Sequence, residues 1–415
     1  MTQPRVVVTG FGVVSPVGLD LESTWASLVA GRSGIAPITR FDASGLDVRI
    51  GGEVRGFDPT RFMEPKEARR TDRFTQFALA ATDEAVRMAG LVADGAASHE
   101  VGVIVGAAVG GVWTYNREVE VLARRGARAV SPFLIPSISV DALGVQIALR
   151  HGFRGPNHAV SSACSSGSDA IGAALDTIRR GDARVMLTGG SEAAVTPIAM
   201  AAFSRMRALS RRNDEPECAC RPFDADRDGF VMAEGAAILV LEDLASAVAR
   251  GAEPLVELAS YAATADAAHL TSPDASGESA GRCIRRAMER ANVAPEELSY
   301  INAHGTGTST GDPIEARAIR LAFGEQADRV PVSATKSMTG HLLGASGAIE
   351  ALIAAQAVRS DVIPPTINLD HPDPSCELNL VANRRLEAPV DVAISTSFGF
   401  GGHNSCLVLR KLRSC

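Results

Sequence analysis

Long apolar runs are missing from this 415-residue chain. None approaches the roughly 20 residues that cross a bilayer, and the N-terminal MTQPRVVVTGFG enters strand-like sequence without a signal-peptide pattern. A cytoplasmic protein with no membrane partner is the expectation. Aromatic residues are scarce, at 5%, while Ala and Gly abound, so helices are expected to pack closely against neighbouring elements. Low-complexity tracts and obvious linkers are lacking. Paired cysteines are lacking too: the seven (164, 218, 220, 283, 376, 406, 415) are scattered and odd in number, which reads as free thiols in a reducing compartment. Cys218-Ala-Cys220 has no second Cys or His pair at zinc spacing, so no metal is expected. An excess of basic charge is absent, and a net charge of −7 argues against nucleic acid as a partner. The basic residues are unevenly placed, however. They cluster at Lys66, Arg69, Arg70 and Arg73, at Arg124, Arg125 and Arg128, and at Arg205, Arg207, Arg211 and Arg212. Each cluster reads either as solvated surface or as a docking patch for an acidic partner.

What is present is ample core: 46% hydrophobic and 21% charged residues, in a chain longer than one core usually serves. Two domains, or one large double-layered body, are expected. β-Branched apolar runs at 5–9, 101–106, 184–188, 237–241, 299–303 and 392–396 alternate with helical patterns near 75–90, 165–180, 277–292, 312–323 and 344–358. This alternation predicts α/β layers with helices covering sheets buried on both faces. The polar stretch 210–228 is the best internal break. Residues 158–180 and 332–358 each read as a strand, a small-residue turn and an Ala-rich helix, which suggests an internal duplication.

The first of those turns, VSSACSSG, places Cys164 on or just before the first turn of a helix whose apolar stripe is Ala170, Ile171, Ala174, Leu175 and Ile178, with Gly181 as its stop. Free backbone N–H groups at such a position would lower the thiol pKa. His304 ends an apolar strand in NAHGTGT, and His341 sits between Gly340 and a helical pattern in KSMTGHLLGASG. Either histidine alone reads as structural. Three strand-to-helix turns carrying Cys, His and His read as a site, since rigid α/β elements gather chemistry at their loops. A fourth turn, SFGFGGHNS, brings Phe398 and Phe400, either as packed aromatics or as a backbone donor and gate.

Taken together, SSACSSG, RPFDADRDGFVMAEGA, HGTGT, KSMTGHLLGASG and SFGFGGHN resemble the β-ketoacyl-acyl carrier protein synthases, the elongating condensing enzymes of fatty acid and polyketide synthesis, over essentially the whole chain. The resemblance implies a thiolase-type five-layered αβαβα fold of two similar halves, 1–250 with the cysteine and 251–415 with the histidines. It implies decarboxylative Claisen condensation of a malonyl-carrier protein with an acyl chain held on Cys164. His304 and His341 would stabilise the enolate oxygen, and the N–H groups of Cys164 and Phe400 the second oxyanion. Lys336 and Glu350 would order the site. Thr306 and Thr308, with Thr271, would meet the phosphopantetheine arm, Phe398 would line the substrate path, Val109 and Phe203 would line the acyl pocket, and Phe400 would gate it. Lys66, Arg69, Arg70, Arg128 and Arg207 would dock the acidic carrier protein. No cofactor beyond the carrier's arm is implied, and the partners are the carrier protein and a second subunit, either a twin or a sister. CSSG, VDALG at 140–144 and AAF at 201–203 depart from the commonest fatty-acid pattern and leave room for a polyketide or polyene ketosynthase paired with a chain-length subunit. A thiolase would carry a second cysteine where FGFGGHN stands. A cysteine hydrolase would have no use for the second histidine, and a chain-length subunit would lack Cys164.

Overall fold

The computed structural model describes residues 3–92 and 95–412, so Cys415 lies outside the described residues. The first half contributes β1 (Val6–Val14), β2 (Val101–Gly106), β3 (Asn157–Val160), β4 (Val185–Glu192) and β5 (Gly235–Asp243). They lie side by side in the order β3-β2-β4-β5-β1. The second half contributes β6 (Val256–Ala265), β7 (Tyr300–Asn302), β8 (Val332–Ser333), β9 (Val392–Gly399) and β10 (His403–Arg410), in the order β8-β7-β9-β10-β6. Both halves therefore run third, second, fourth, fifth, first. In both, the first three strands of that order pair in parallel and the remaining pairings are antiparallel. β1 and β6 join the halves through Val7↔Glu257 and Val8↔Val256. The suggested duplication is a duplicated topology.

Helices α1 (Arg73–Ala89) and α3 (Ala142–His151) cover the outer face of the first half, with α2 (Val112–Arg125) between them in sequence. The middle layer holds α4 (Ser166–Arg180) and, from the second half, α8 (Ser346–Ser360). α5 (Pro197–Arg205) follows β4, while α6 (Glu278–Ala291) and α7 (Gly311–Phe323) cover the outer face of the second half. The fold is thus the five-layered αβαβα arrangement. Strands read as continuously apolar because both faces are covered: on β2, Val101, Val103 and Val105 pack under α1 and α3 while Ile104 faces the middle layer. The abundance of Gly and Ala has a local cause. A Cβ on Gly12 of β1 would lie 1.8 Å from the Ala81 carbonyl oxygen of α1, and one on Gly347 would lie 2.1 Å from Ser168 Oγ where α4 and α8 cross.

Three expectations change. The sequence pattern passes over α2, α3, α5 and β6, whose small residues (ELASYAATA in β6) carry little β-branched signal. The stretch 210–228 is irregular but is no break: Arg221 pairs with Asp224 and Asp370, Arg227 pairs with Asp312 and Asp373, and buried Asp224 accepts the N–H groups of Asp370 and His371. Its charges pin the two halves together, which is why a polar segment sits at the interface. Arg73 does not belong to a surface cluster. It is buried against Glu234, with Nη2 2.6 Å from Oε1, and the unpaired carboxylate would cost more to bury than the pair does.

Candidate active site

Cys164 lies in the short 3-10 turn Ala163–Ser165 between β3 and α4. Ala163 adopts φ +51°, a left-handed conformation that a side chain disfavours. Ser166 holds the turn: its Oγ accepts the Ser162 N–H at 2.9 Å and donates to the Ala163 carbonyl oxygen at 2.7 Å. The duplicate turn of the second half, Leu343–Ala345 before α8, repeats the left-handed residue, with Leu343 at φ +47°. Of the serines around Cys164, Ser166 forms the turn, whereas Ser165 Oγ donates across to the carbonyl oxygens of Ser397 and His403. Gly181 closes α4 in the left-handed conformation at φ +81°.

The turns bring the three reactive side chains together. One atom each of Cys164, His304 and His341 lie within 4.8 Å of one another, and His341 Nε2 stands 3.1 Å from Cys164 Sγ. The imidazole rings face edge-on at 5.5 Å. Their tautomers follow from their second nitrogens. The Leu343 N–H, which can only donate, points at His341 Nδ1 at 3.2 Å, so the Ser346 hydroxyl 2.8 Å from the same nitrogen donates as well; Lys336 Nζ, an obligate donor, lies 3.2 Å from His304 Nδ1. Each Nδ1 is then an acceptor, so each neutral ring carries its proton on Nε2. Burial lowers both histidines well below the usual imidazole range, with the Lys336 charge acting in the same direction, so both stay neutral. Two neutral Nε2–H donors are available at one site.

Lys336 has three protons and three acceptors: His304 Nδ1, the His304 carbonyl oxygen at 2.6 Å, and Glu350 Oε1. It is 1% exposed. Such a fully committed ammonium orients and polarises; it has no free N–H for proton transfer. Glu350 is pushed up to about 7 by burial, against the pull of Lys336. Glu315 accepts the N–H groups of His304 and Gly305, each at 2.7 Å, and fixes the backbone that carries the histidine.

The expected lowering of the Cys164 pKa does not occur in this state of the site. Burial pushes the thiol up to about 11, outweighing the N–H groups of Phe400 and of Cys164 itself and the Lys336 charge, all of which pull it down. Those two N–H groups converge on the sulfur, where an oxyanion hole is required.

A cavity of about 460 Å³ opens on Cys164, His304 and His341 and is lined also by Val109, Phe203, Thr271, Thr306, Thr308, Phe398 and Phe400. Phe203 and Phe400 stand 6.3 Å apart by ring centroid, and Thr306 Oγ and Thr308 Oγ lie 3.1 Å apart. Exposed Arg207 lines the cavity as well and adopts φ +57°. Lys66, Arg69, Arg70 and Arg128 are exposed and lie outside it; Arg70 stacks 4.3 Å over the Phe133 ring. Sequence reasoning missed Phe230, whose ring packs 5.1 Å from His341, and Glu192, whose carboxylate holds the loop carrying Val109. Glu315 follows the HGTGT turn in sequence, but nothing there marked its side chain as turned towards the backbone of His304.

Residues 3–247 match the family model described as "Beta-ketoacyl synthase, N-terminal domain", and residues 255–370 match the corresponding C-terminal domain. The chain is 48% identical over 411 residues to a protein of Synechocystis sp. named 3-oxoacyl-[acyl-carrier-protein] synthase 2, covering 99% of each. Among solved structures, the ishigamide ketosynthase/chain length factor superposes with TM-score 0.92 at 38% identity, covering 99% of this chain and 100% of that one. A type II polyketide synthase acyl-carrier protein in complex with its ketosynthase gives TM-score 0.90 at 33% identity, with the same coverage.

Proposed function

Because the chain belongs to the β-ketoacyl synthase family, we propose that it is a 3-oxoacyl-[acyl-carrier-protein] synthase working in two half-reactions. The observation that carries this reading is the convergence of Cys164 Sγ with two histidines, both neutral and both protonated on Nε2. In the first half-reaction Sγ attacks the carbonyl of an acyl thioester, the tetrahedral oxygen being held by the N–H groups of Cys164 and Phe400. The carrier's thiolate leaves and takes up the proton that the Cys164 thiol gives up. In the second, malonyl thioester loses carbon dioxide, and its carbonyl oxygen, now an enolate, takes both Nε2–H bonds. The carbanion carbon bonds to the acyl carbonyl carbon, and the bond to Cys164 breaks, leaving a thiolate that takes one proton from solvent to restore the thiol. Two donors without net charge suit a charge that appears only transiently, and no cofactor is invoked.

On this reading 1–250 supplies the nucleophile and 251–415 the histidines. Thr306, Thr308 and Thr271 contact the carrier's arm, while Val109, Phe203 and Phe398 line the acyl path. Lys66, Arg69, Arg70, Arg128 and Arg207 dock an acidic carrier protein. Charge reversal at Arg69 or Arg207 is expected to raise KM for carrier-bound substrate at low salt and to matter less at high salt. Kinetics at two ionic strengths check this, and an unchanged KM at both would remove the docking assignment. A second subunit would sit at the open edge strand β3, beside exposed Ile135, Val145 and Leu149.

Depressed histidine pKa values give a further expectation. The ordinary imidazole midpoint is about 6.5, so groups held well below it keep their neutral form as pH falls through that value. Malonyl-carrier decarboxylation should therefore hold its rate from pH 8 to pH 6. An imidazole resonance of His304 or His341 that titrates near pH 6.5 would show that at least one ring titrates normally, and would tell that ring apart from Glu350, which burial pushes up to about 7.

A second reading, the ketosynthase subunit of a type II polyketide or polyene system, is favoured by the likeness to the ishigamide ketosynthase. Incubating the purified protein with malonyl-carrier protein and a ladder of saturated and polyenoyl acyl-carrier proteins, with products read by mass spectrometry, separates the two. Elongation of polyenoyl chains alone, dependent on a sister subunit, selects the second. No elongation of either series, by the protein alone or with its sister subunit added, overturns both.

A further inference from the structure

β4 is buried from end to end and finishes on Glu192, which exposes no surface. A carboxylate so placed has to be paired or extensively hydrogen-bonded. Among the described residues its partners are all backbone. Oε2 accepts the Ala108 N–H at 2.6 Å and the Gly344 N–H at 3.2 Å, Oε1 accepts the Gly110 N–H at 3.1 Å, and the Val109 N–H lies 3.3 Å from both oxygens. Burial pushes Glu192 up to about 7 in spite of these four donors, so the group is retained against an appreciable desolvation cost.

The two segments it joins come from different halves of the chain and line the same cavity. Ala108 and Val109 follow β2, whereas His341 and Leu343 belong to the turn that Gly344 continues. They touch backbone to backbone. A Cβ on Gly344 would lie 2.3 Å from Ala108 N and 2.7 Å from Glu192 Oε2. Glu192 itself does not line the cavity. It sits behind the wall and holds Val109 in register with the turn that carries His341 and its Nδ1 donor, Leu343.

We infer that Glu192 is a positioning residue that clamps the acyl-pocket wall at Ala108–Gly110 to the histidine turn at His341–Gly344, and so sets which acyl chain lengths the pocket accepts. This rests on the acyl-elongating function proposed above. The carboxylate acts through backbone geometry. Releasing it loosens the wall near Val109, and that matters more the farther a chain reaches past Cys164. A group serving only to staple the fold would instead reduce every activity in proportion to the folded fraction.

The test uses the full-length protein, acyl-carrier proteins of increasing saturated chain length and malonyl-carrier protein, with wild type, Glu192→Gln and Glu192→Asp measured together and thermal melts taken for each. Gln turns an NH2 towards backbone N–H donors; Asp keeps the charge but withdraws it by one methylene. For Glu192→Gln, kcat/KM with the shortest substrate should stay within about twofold of wild type. With the longest chain that wild type elongates it should fall by about tenfold, mostly through KM, which is the scale of one hydrogen bond to a charged acceptor. Glu192→Asp should lie between the two. An equal loss at every chain length, no loss at any, or failure of both variants to fold would each overturn the clamp. A wild type that elongates nothing would instead overturn the functional reading and the clamp with it, so the two failures are told apart by the wild-type lane alone.

Discussion

Cys164→Ala is expected to abolish condensation, by on the order of 10⁴-fold or more, as loss of a covalent nucleophile does, while malonyl-carrier decarboxylation continues. The reasoning is geometric. The enolate oxygen is served by two Nε2–H groups whose tautomers are set by Leu343 N–H and Lys336 Nζ, neither of which involves the sulfur. Replacing SH by H at a position 8% exposed leaves Ala163 and Ser166 holding the turn as before. Intact-protein mass spectrometry with acyl-carrier protein should find one acyl adduct on wild type and none on the variant, and carbon dioxide release should persist. An adduct on the variant, or on any cysteine other than Cys164, would remove it as nucleophile. Loss of decarboxylation together with condensation would show that the sulfur helps to hold the malonyl group.

How far the chain could be read without coordinates follows from where its signals are local. Strand-to-helix turns announce themselves through glycine and small residues, and the turns bearing Cys164, His304 and His341 were legible for that reason. So was the duplication, since both halves repeat the same turn chemistry. Their meeting within 4.8 Å was not: it depends on α4 crossing α8 at glycines and on two halves joined through β1 and β6, which no window of sequence reports. The thiol pKa went the wrong way for a related reason. A helix-start position is local and suggests lowering, whereas burial is a tertiary property and dominates. Arg73 sits four residues from Arg69 and reads like it, yet only the fold shows that one meets Glu234 while the other meets solvent. Glu192 and Glu315 belong to the same class, because a carboxylate that accepts backbone N–H groups, from distant segments for Glu192 and from the preceding turn for Glu315, leaves no periodicity behind.

His304→Ala and His341→Ala should each cut malonyl decarboxylation by on the order of 100-fold or more, about 2.7 kcal/mol of transition-state stabilisation, the usual worth of one oxyanion donor in a dry site. The two differ in what else they touch. His341 Nε2 lies 3.1 Å from Sγ, so its loss should also slow acylation of Cys164. The hydrogen bond to Sγ comes from His341 and not from His304, whose Nδ1 and carbonyl oxygen are tied to Lys336, so loss of His304 should leave acylation near the wild-type rate. Measuring the two half-reactions separately, acyl adduct by mass spectrometry and carbon dioxide release without acyl donor, divides the roles. The double variant should lose less than the product of the single losses, because both donors serve one oxygen and neither works fully without the other. A His304→Ala protein that decarboxylates at the wild-type rate would defeat the paired-donor mechanism. One that loses acylation and decarboxylation equally would mean that Lys336, freed of its acceptor, reorganises the whole cavity, and the separation of roles between the two histidines would have to be abandoned.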